Sequence, residues 1–176
     1  LHDRLKHAME RGGLDLHYQP QVDVATGGIV GVEALLRWND PDLGPISPER
    51  FIPVAVCSGL IHTLGDWVLD TACRQSAQWA QAGTPVRISV NLSAHDLRDP
   101  KLLERIRGTF ATWGAEPNWV EFELTESALM ADSDTSLRII DRLVELGVRL
   151  AIDDFGTGYS SLAYLKRLRP HQLKID

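Results

Sequence analysis

The stretch WVEFELTE, residues 119–126, alternates apolar and polar side chains and predicts a β-strand. Glu121 and Glu123 share one face of that strand. The opposite face is apolar and carries Val120, Phe122 and Leu124. An open, doubly wound sheet needs apolar side chains on both faces, so it explains this pattern poorly. A (β/α) barrel explains it better, because helices cover the outside while polar strand ends meet inside at one rim.

The same alternation recurs in four other predicted strands. They are GIVGVEALL, VRISVNLS, RLAIDD and QLKID, beginning at Gly28, Val86, Arg149 and Gln172. In each strand the polar phase includes a side chain near the C-terminal end. Together with Glu123, these side chains are Glu33, Asn91, Asp153 and Lys174. Active sites of such barrels lie at this rim, so we expect the five to meet there.

Several carboxylates and an amide in one place repel each other unless cations lie between them. Hard oxygen ligands of this kind select Mg²⁺ or Mn²⁺. Two such ions that share one carboxylate, with a second carboxylate beside it, suit two-metal phosphodiester chemistry. The adjacent Asp153 and Asp154 fit this description, and the FGTG that follows lets the chain turn away.

Each of these residues taken alone has a simpler interpretation. The Asp153–Asp154 pair could form a turn or a helix cap, and Asn91 could form a turn. Glu33 could be a solvated strand end, and Lys174 a salt-bridge partner. A shared site is favoured over these separate interpretations because the residues lie on the same face of their strands, at several strand ends. The six histidines show no metal-ligand spacing, which indicates structural or surface roles.

Strands and helices alternate after Gly83, which predicts parallel strands joined by crossovers. Helical patterns come earlier at 1–12 and at 51–82, the latter interrupted near Ser58–Gly59, with Ser47 as a candidate N-cap. Later helices are predicted at 101–114, 132–147 and 160–168, and 39–48 is predicted to be a loop. We expect one domain over 1–176, with 1–12 as a linker or leading helix.

Composition excludes some function classes. The formal net charge of −6 argues against unaided binding to DNA or other nucleic-acid phosphates. Cys57 and Cys73 lack the spacing of a zinc site or a redox pair, which predicts free thiols in a reducing compartment. No apolar run approaches the ~18 residues that span a bilayer, and the N-terminus is not a signal peptide. We expect a cytoplasmic domain, whose parent protein could still be membrane-anchored.

The sequence resembles the EAL domain family of bacterial phosphodiesterases, which hydrolyse cyclic di-GMP to linear pGpG. The matching stretches, in family order, are YQPQVD, EALLRW, SPERFIP, SGLI, VNLS, ELTES, AIDDFGTGYSSLAYL and LKID. A lone EAL tripeptide would carry no weight, whereas this series covers nearly the whole chain. The resemblance implies an α/β fold, a TIM-like (β/α)8 barrel whose first strand runs antiparallel to the others.

The resemblance also implies roles for the site residues. One metal would be held by Glu33, Asn91, Glu123 and Asp153. Asp153 would bridge to a second ion beside Asp154, and Lys174 would position the attacking water. Arg37 would grip a substrate phosphate, while Gln19 and Leu36 would line the nucleotide pocket. Glu126 would tether a loop that couples the site to a homodimer: Phe155, Gly156, Thr157, Gly158, Tyr159 and Ser160, up to Ser161.

The chain also departs from the family pattern. Val56 stands where the family commonly has glutamate, and Asn39–Asp40 replaces a frequent pair that contains histidine. A barrel of this kind needs about 250 residues. We therefore expect about six of eight strands here, with a later family glutamate and glutamine absent. The expectation follows that these 176 residues alone are inactive.

Three hypotheses for function remain at this point. The first is a metal-dependent phosphodiesterase in its complete form. The second is a receptor that binds cyclic di-GMP in the same pocket without turnover, and the third is a regulatory scaffold. Every family ligand that this segment can contain is present, which favours catalysis. Sensory or GGDEF-type domains are expected elsewhere in the parent chain.

Overall fold

One mixed sheet forms the framework of the protein, in a computed structural model that describes residues 1–130, 133–156 and 168–175. Its strands are β1 (Leu14–Val22), β2 (Ile29–Asp40), β3 (Gly44–Ile46), β4 (Ile88–Asn91), β5 (Val120–Thr125), β6 (Arg149–Asp153) and β7 (Gln172–Leu173). The strand order is β1-β2-β4-β5-β6-β7, and β3 pairs with β2. β1 is antiparallel to β2, whereas β2, β4, β5, β6 and β7 run parallel. The antiparallel first strand is therefore confirmed.

Helices precede β1 and connect the parallel strands. They are α1 (His2–Arg11), α2 (Pro48–Ser58), α3 (Ile61–Gln81), α4 (Leu102–Trp113), α5 (Glu126–Met130) and α6 (Ser133–Glu145). The predicted break near Ser58–Gly59 is confirmed, because Gly59 adopts a left-handed conformation with φ of 75° between α2 and α3. In the part of the chain that the structure describes, no helix is long and apolar enough to cross a bilayer.

Two local predictions need correction. The segment 39–48 is not a plain loop, because β3 pairs back onto β2 within it. Ser47 occupies the N-cap position of α2, but its side chain makes no capping hydrogen bond. The predicted helix at 160–168 lies, up to residue 167, outside the described residues. The short helix α5, directly after β5, was not predicted.

The apolar strand phase packs against the helices, as the alternation predicts. Val120, Phe122 and Leu124 on β5 are at most 1% exposed. They share one core with Ile106 of α4 and Ile140 of α6. Burying each such side chain contributes about 1.5–3 kcal/mol of transfer free energy, so the helices hold this face of the sheet in place.

The leading helix α1 packs as an integral part of the domain. Leu5 lies in a second core with Trp38 and Phe51, whose rings meet edge to face with centroids 5.6 Å apart. Arg4 donates hydrogen bonds of 2.8 Å to both Asp40 and Asp42, at the hairpin between β2 and β3. These contacts make residues 2–11 a docked leading helix rather than a linker.

Candidate functional site

Strand register brings the polar phase of the sheet together on its inner face. Asn91 lies directly opposite Glu123 in the β4–β5 pair, and Glu33 lies opposite Ser89 in the β2–β4 pair. Asp153 ends β6 opposite Thr125. The C-terminal ends of these parallel strands therefore carry a carboxylate or an amide on neighbouring positions.

Lys174 lies at the centre of this group. Its Nζ donates to Glu33 Oε2 at 2.8 Å and to Glu123 Oε2 at 2.6 Å, and it lies 3.9 Å from Asp153 Oδ1. Asn91 Nδ2 donates to Glu33 Oε1 at 3.2 Å. All five rim residues that the strand phase singled out thus lie in one cluster, which we call the rim cluster.

Burial and charge perturb two members of the rim cluster. Burial and the nearby Glu33 charge raise the pKa of Glu123, although the hydrogen bond from Lys174 opposes this. Burial by itself would lower the pKa of Lys174, but its hydrogen bonds to Glu123 and Glu33 outweigh burial and raise it. The lysine therefore stays protonated and partly neutralises the surrounding carboxylates.

The donor set of the rim cluster fits a divalent cation. Oε1 of Glu123 is buried, and no hydrogen-bond partner for it exists among residues 1–130, 133–156 and 168–175. Such an orphaned carboxylate oxygen is costly unless a cation or donor satisfies it. Within the same ranges, no three His, Cys, Asp or Glu side chains form a ready-made metal cage. The oxygens are grouped around the Lys174 ammonium, so cation binding requires the carboxylates to turn toward a shared ion.

The residues after β6 form a turn that is hydrogen-bonded to Glu126 of α5 and to Lys174. Asp154 is exposed and has a left-handed φ of 54°, which ends the strand. Gly156 N donates to Glu126 Oε2 at 3.3 Å, and Phe155 N donates to the Lys174 carbonyl at 3.0 Å. Glu126 thus contacts the start of the predicted loop at Gly156. Thr157, Gly158, Tyr159 and Ser160 lie outside the described residues.

A cavity of about 500 Å³ opens beside the rim cluster. Asn91 lines it, as do Leu36 and Arg37 of β2, while its walls are largely apolar. Gln19 is not part of this lining; it is exposed on β1, opposite Glu33 in the register. The cavity therefore combines a cationic side chain and apolar walls with direct access to the cluster through Asn91.

Two features of the site escaped the sequence interpretation. Asp96 lines the cavity and is only 6% exposed, with Oδ2 accepting from Ser93 N at 2.9 Å. Glu121 is fully buried between Arg87 and Arg149. The phase of WVEFELTE does place Glu121 on the face of Glu123, which was the available signal. Nothing local predicted its arginine partners, because they come from neighbouring strands.

Comparison with known proteins decides the family. The EAL domain model matches residues 2–176. The chain belongs to the EAL domain family. Its TIM-like barrel architecture, present here as a partial barrel, agrees with a solved EAL domain of FimX from Xanthomonas citri bound to c-diGMP. That domain has a TM-score of 0.87 at 24% identity, covering 99% of this chain and 68% of that one.

Similar EAL proteins include two from Pseudomonas aeruginosa. MucR, named a bifunctional diguanylate cyclase/cyclic di-GMP phosphodiesterase, is 49% identical over all of this chain and 26% of its own length. NbdA, named a cyclic di-GMP phosphodiesterase, is 43% identical over all of this chain and 23% of its length. The chain thus spans about a quarter of the curated relatives it matches.

A solved structure of the MucR phosphodiesterase in complex with c-di-GMP is also similar. Its TM-score is 0.94 at 48% identity, and the match covers 99% of this chain and 71% of that one. The backbone that carries the rim cluster is therefore shared with a protein captured with this dinucleotide.

Proposed function

We propose that this EAL chain contributes the catalytic rim of a metal-dependent phosphodiesterase that hydrolyses cyclic di-GMP to linear pGpG. The observation that carries the proposal is the rim cluster, in which Glu33, Glu123 and Asp153 converge on Lys174 beside a cavity lined by Arg37. The names of MucR and NbdA, and the MucR complex with c-di-GMP, support the same substrate.

The chain's own residues would divide the work as follows. Arg37, at the cavity wall, offers a guanidinium to one phosphate, and Leu36 packs against the nucleotide. Gln19 approaches from β1, where it faces Glu33 across the strand pair. Lys174 holds an ammonium proton next to Glu33 and Glu123, where it can orient a water by hydrogen bonding.

The oxygen donors for Mg²⁺ or Mn²⁺ would be Glu33, Asn91, Glu123 and Asp153, with Asp154 beside the second position. Bound there, divalent cations supply an activated water and neutralise charge on the phosphate oxygens. The buried Oε1 of Glu123, which has no hydrogen-bond partner among the residues that the structure describes, supports this donor set. We further propose that the Glu126-tethered loop links the site to a homodimer and that sensory or GGDEF-type domains share the parent protein.

A receptor without turnover is the second candidate, and one observation favours it. Lys174 already pairs with two of the carboxylates, so the rim cluster can be satisfied without an ion. Such a protein would keep the cavity and Arg37 while lacking hydrolysis.

One assay separates the two candidates. The 176 residues, and a longer protein that contains them, are incubated with cyclic di-GMP and Mg²⁺ or Mn²⁺, and pGpG is measured by chromatography. Product that disappears in Glu33→Ala supports the enzyme, with the exposed Glu116→Ala as the matched control. Tight binding without product from either protein supports the receptor. Absence of both binding and product contradicts the proposal.

A further inference from the structure

Glu121 is a fully buried carboxylate that the proposed reaction does not use. Its Oε2 accepts a hydrogen bond of 3.1 Å from Arg149 Nε, and its Oε1 accepts one of 3.2 Å from Ser89 Oγ. Arg87 Nε lies 3.7 Å from Oε1 as an ion pair. Removing a carboxylate from water costs several kcal/mol unless it is paired, so this arrangement needs an explanation.

The group Arg87, Glu121 and Arg149, which we call the triad, ties three neighbouring strands together. Arg87 directly precedes β4, Glu121 belongs to β5, and Arg149 opens β6. Glu121 and Arg149 are also paired in the strand register. Charged side chains therefore join these strands in addition to the backbone ladder.

Each of these strands carries a proposed metal ligand farther along in the same phase. Glu123 follows Glu121 by two residues, and Asp153 follows Arg149 by four. Residues two apart on a strand point to the same face about 6.6 Å apart. Glu121 thus lies one layer below Glu123 on the inner face, while Arg87 and Arg149 lie two layers below Asn91 and Asp153.

Ser89 extends that layer toward β2 and β1. It lies opposite Glu33 in the register and donates its hydroxyl to Glu121. Gln21 of β1 in turn donates from Nε2 to Ser89 Oγ at 3.4 Å. Ser89 is fully buried, and its hydrogen bonds run directly from Glu121 to β1, the strand paired with that of Glu33.

We propose that the triad is a positioning device for the rim cluster: by cross-linking β4, β5 and β6 below the rim, it sets the spacing of Asn91, Glu123 and Asp153 for a shared divalent cation. This inference rests on the proposed function. The carboxylates grouped around Lys174 must turn toward an ion to bind it. Their oxygens can reach one common ion only if the strands that carry them do not shift relative to one another. The triad residues are positioning residues and touch neither ion nor substrate.

A purely structural role would lower stability without changing cation affinity, so the test measures both. Arg149→Lys keeps the charge but loses the planar fork that Glu121 accepts from. Glu121→Gln keeps the shape but removes the charge. Asp99→Asn is the matched control, because Asp99 and Arg105 form another partly buried carboxylate–arginine pair that lies outside the triad.

Mn²⁺ affinity is measured by electron paramagnetic resonance and calorimetry on the intact chain, alongside urea unfolding. We expect Arg149→Lys and Glu121→Gln to weaken Mn²⁺ binding about 10-fold or more, the loss typical when support for metal ligands is removed. Asp99→Asn should lower stability while Mn²⁺ affinity stays within about twofold of wild type.

The outcomes are separable. Wild-type Mn²⁺ affinity in both triad variants overturns the inference and leaves the proposed function standing. Weakening in all three variants, in proportion to their lost stability, also overturns it. If Glu121→Gln does not fold, the comparison of Mn²⁺ affinity between Arg149→Lys and Asp99→Asn decides the test. A wild-type chain that binds no divalent cation overturns the proposed function, and the inference with it.

Discussion

Lys174 Nζ lies 2.6 Å from Glu123 Oε2, and the two residues are 51 positions apart in the sequence. The contact joins the segment after β7 to the inner face of β5, across β6. Because Glu123 is almost fully buried, water cannot stabilise its negative charge, and the Lys174 ammonium does so instead.

Lys174→Met should lower the free energy of unfolding by about 3 kcal/mol, because it leaves a buried carboxylate without its partner. Millimolar Mn²⁺ should restore part of that loss if the rim cluster accepts a cation in place of the ammonium. Urea unfolding with and without Mn²⁺ measures both effects. The exposed Lys6→Met should change neither, and a Lys174→Met protein as stable as wild type would contradict this interpretation.

In a longer protein that contains this chain, Asp153→Asn should reduce phosphodiesterase turnover about 100-fold, because it removes a charged oxygen from the proposed metal ligands. Val56→Glu should change turnover little, since Val56 packs beside the second core and does not belong to the rim cluster. Initial rates of pGpG formation compare the two variants. Equal effects would mean that the metal assignment is wrong.

Glu126→Leu, which keeps a side chain of similar size but removes the acceptor oxygens, should free the backbone amide of Gly156, which now donates to Glu126 Oε2. Amide hydrogen exchange at Gly156 should become about tenfold faster, because without this hydrogen bond the loop can open locally. Global stability should stay within about 1 kcal/mol of wild type, the usual value of one such hydrogen bond. Unchanged exchange at Gly156 would show that the tether does not order the loop.

The strand phase could be predicted from sequence because alternation is a local property. In WVEFELTE the period of two separates Phe122 from Glu123 without knowledge of neighbouring strands, and the structure keeps that separation. The same reasoning located Lys174 near Glu33. The parallel direction of the later strands followed from the alternation of strands and helices, whereas the resemblance to the EAL family implied the antiparallel first strand, which has no local signature.

Features that depend on partners from distant segments could not be predicted. The pairing of Glu121 with Arg87 and Arg149 follows from the register of three strands, which no single stretch specifies. The docking of α1 depends on Arg4 meeting Asp40 in space. Because this contact cannot be read from residues 1–12 themselves, the sequence allowed both a linker and a leading helix there.

Asp40 makes stability depend on pH. Burial raises the pKa of its carboxyl, but hydrogen bonds from the Leu43 and Asp42 amides and the Arg4 charge outweigh burial and lower the pKa below its ordinary 3.8. A lowered folded-state pKa gives stability that is present above the unfolded value and is lost as pH falls through the folded value.

Asp40→Asn should therefore have a lower urea midpoint than wild type at pH 7, and the gap should narrow steadily below pH ~4. Urea unfolding at a series of pH values provides the measurement. The exposed Asp3→Asn serves as the control variant, with no comparable gap expected. A gap for Asp40→Asn that widens on acidification would refute the assigned role.

Gly31 lies under the rim cluster, two residues before Glu33 and beside Arg87. A Cβ at this position would lie 2.9 Å from Gln21 Oε1 and 3.3 Å from the Arg87 carbonyl oxygen. Gln21 can rotate away, but the Arg87 backbone cannot. Gly31→Ala should thus destabilise the fold by about 1–3 kcal/mol through overpacking.

The same substitution should weaken Mn²⁺ binding if the triad positions the rim cluster, since it pushes Arg87 away from Glu121. Gly108→Ala is the matched control, because no atom of the described part of the chain lies within 4 Å of an added Cβ there, and alanine favours the interior of α4. Urea unfolding and Mn²⁺ titration of both variants provide the comparison. Gly31→Ala with wild-type stability would show that the residues around Arg87 rearrange without cost to accommodate the added methyl group.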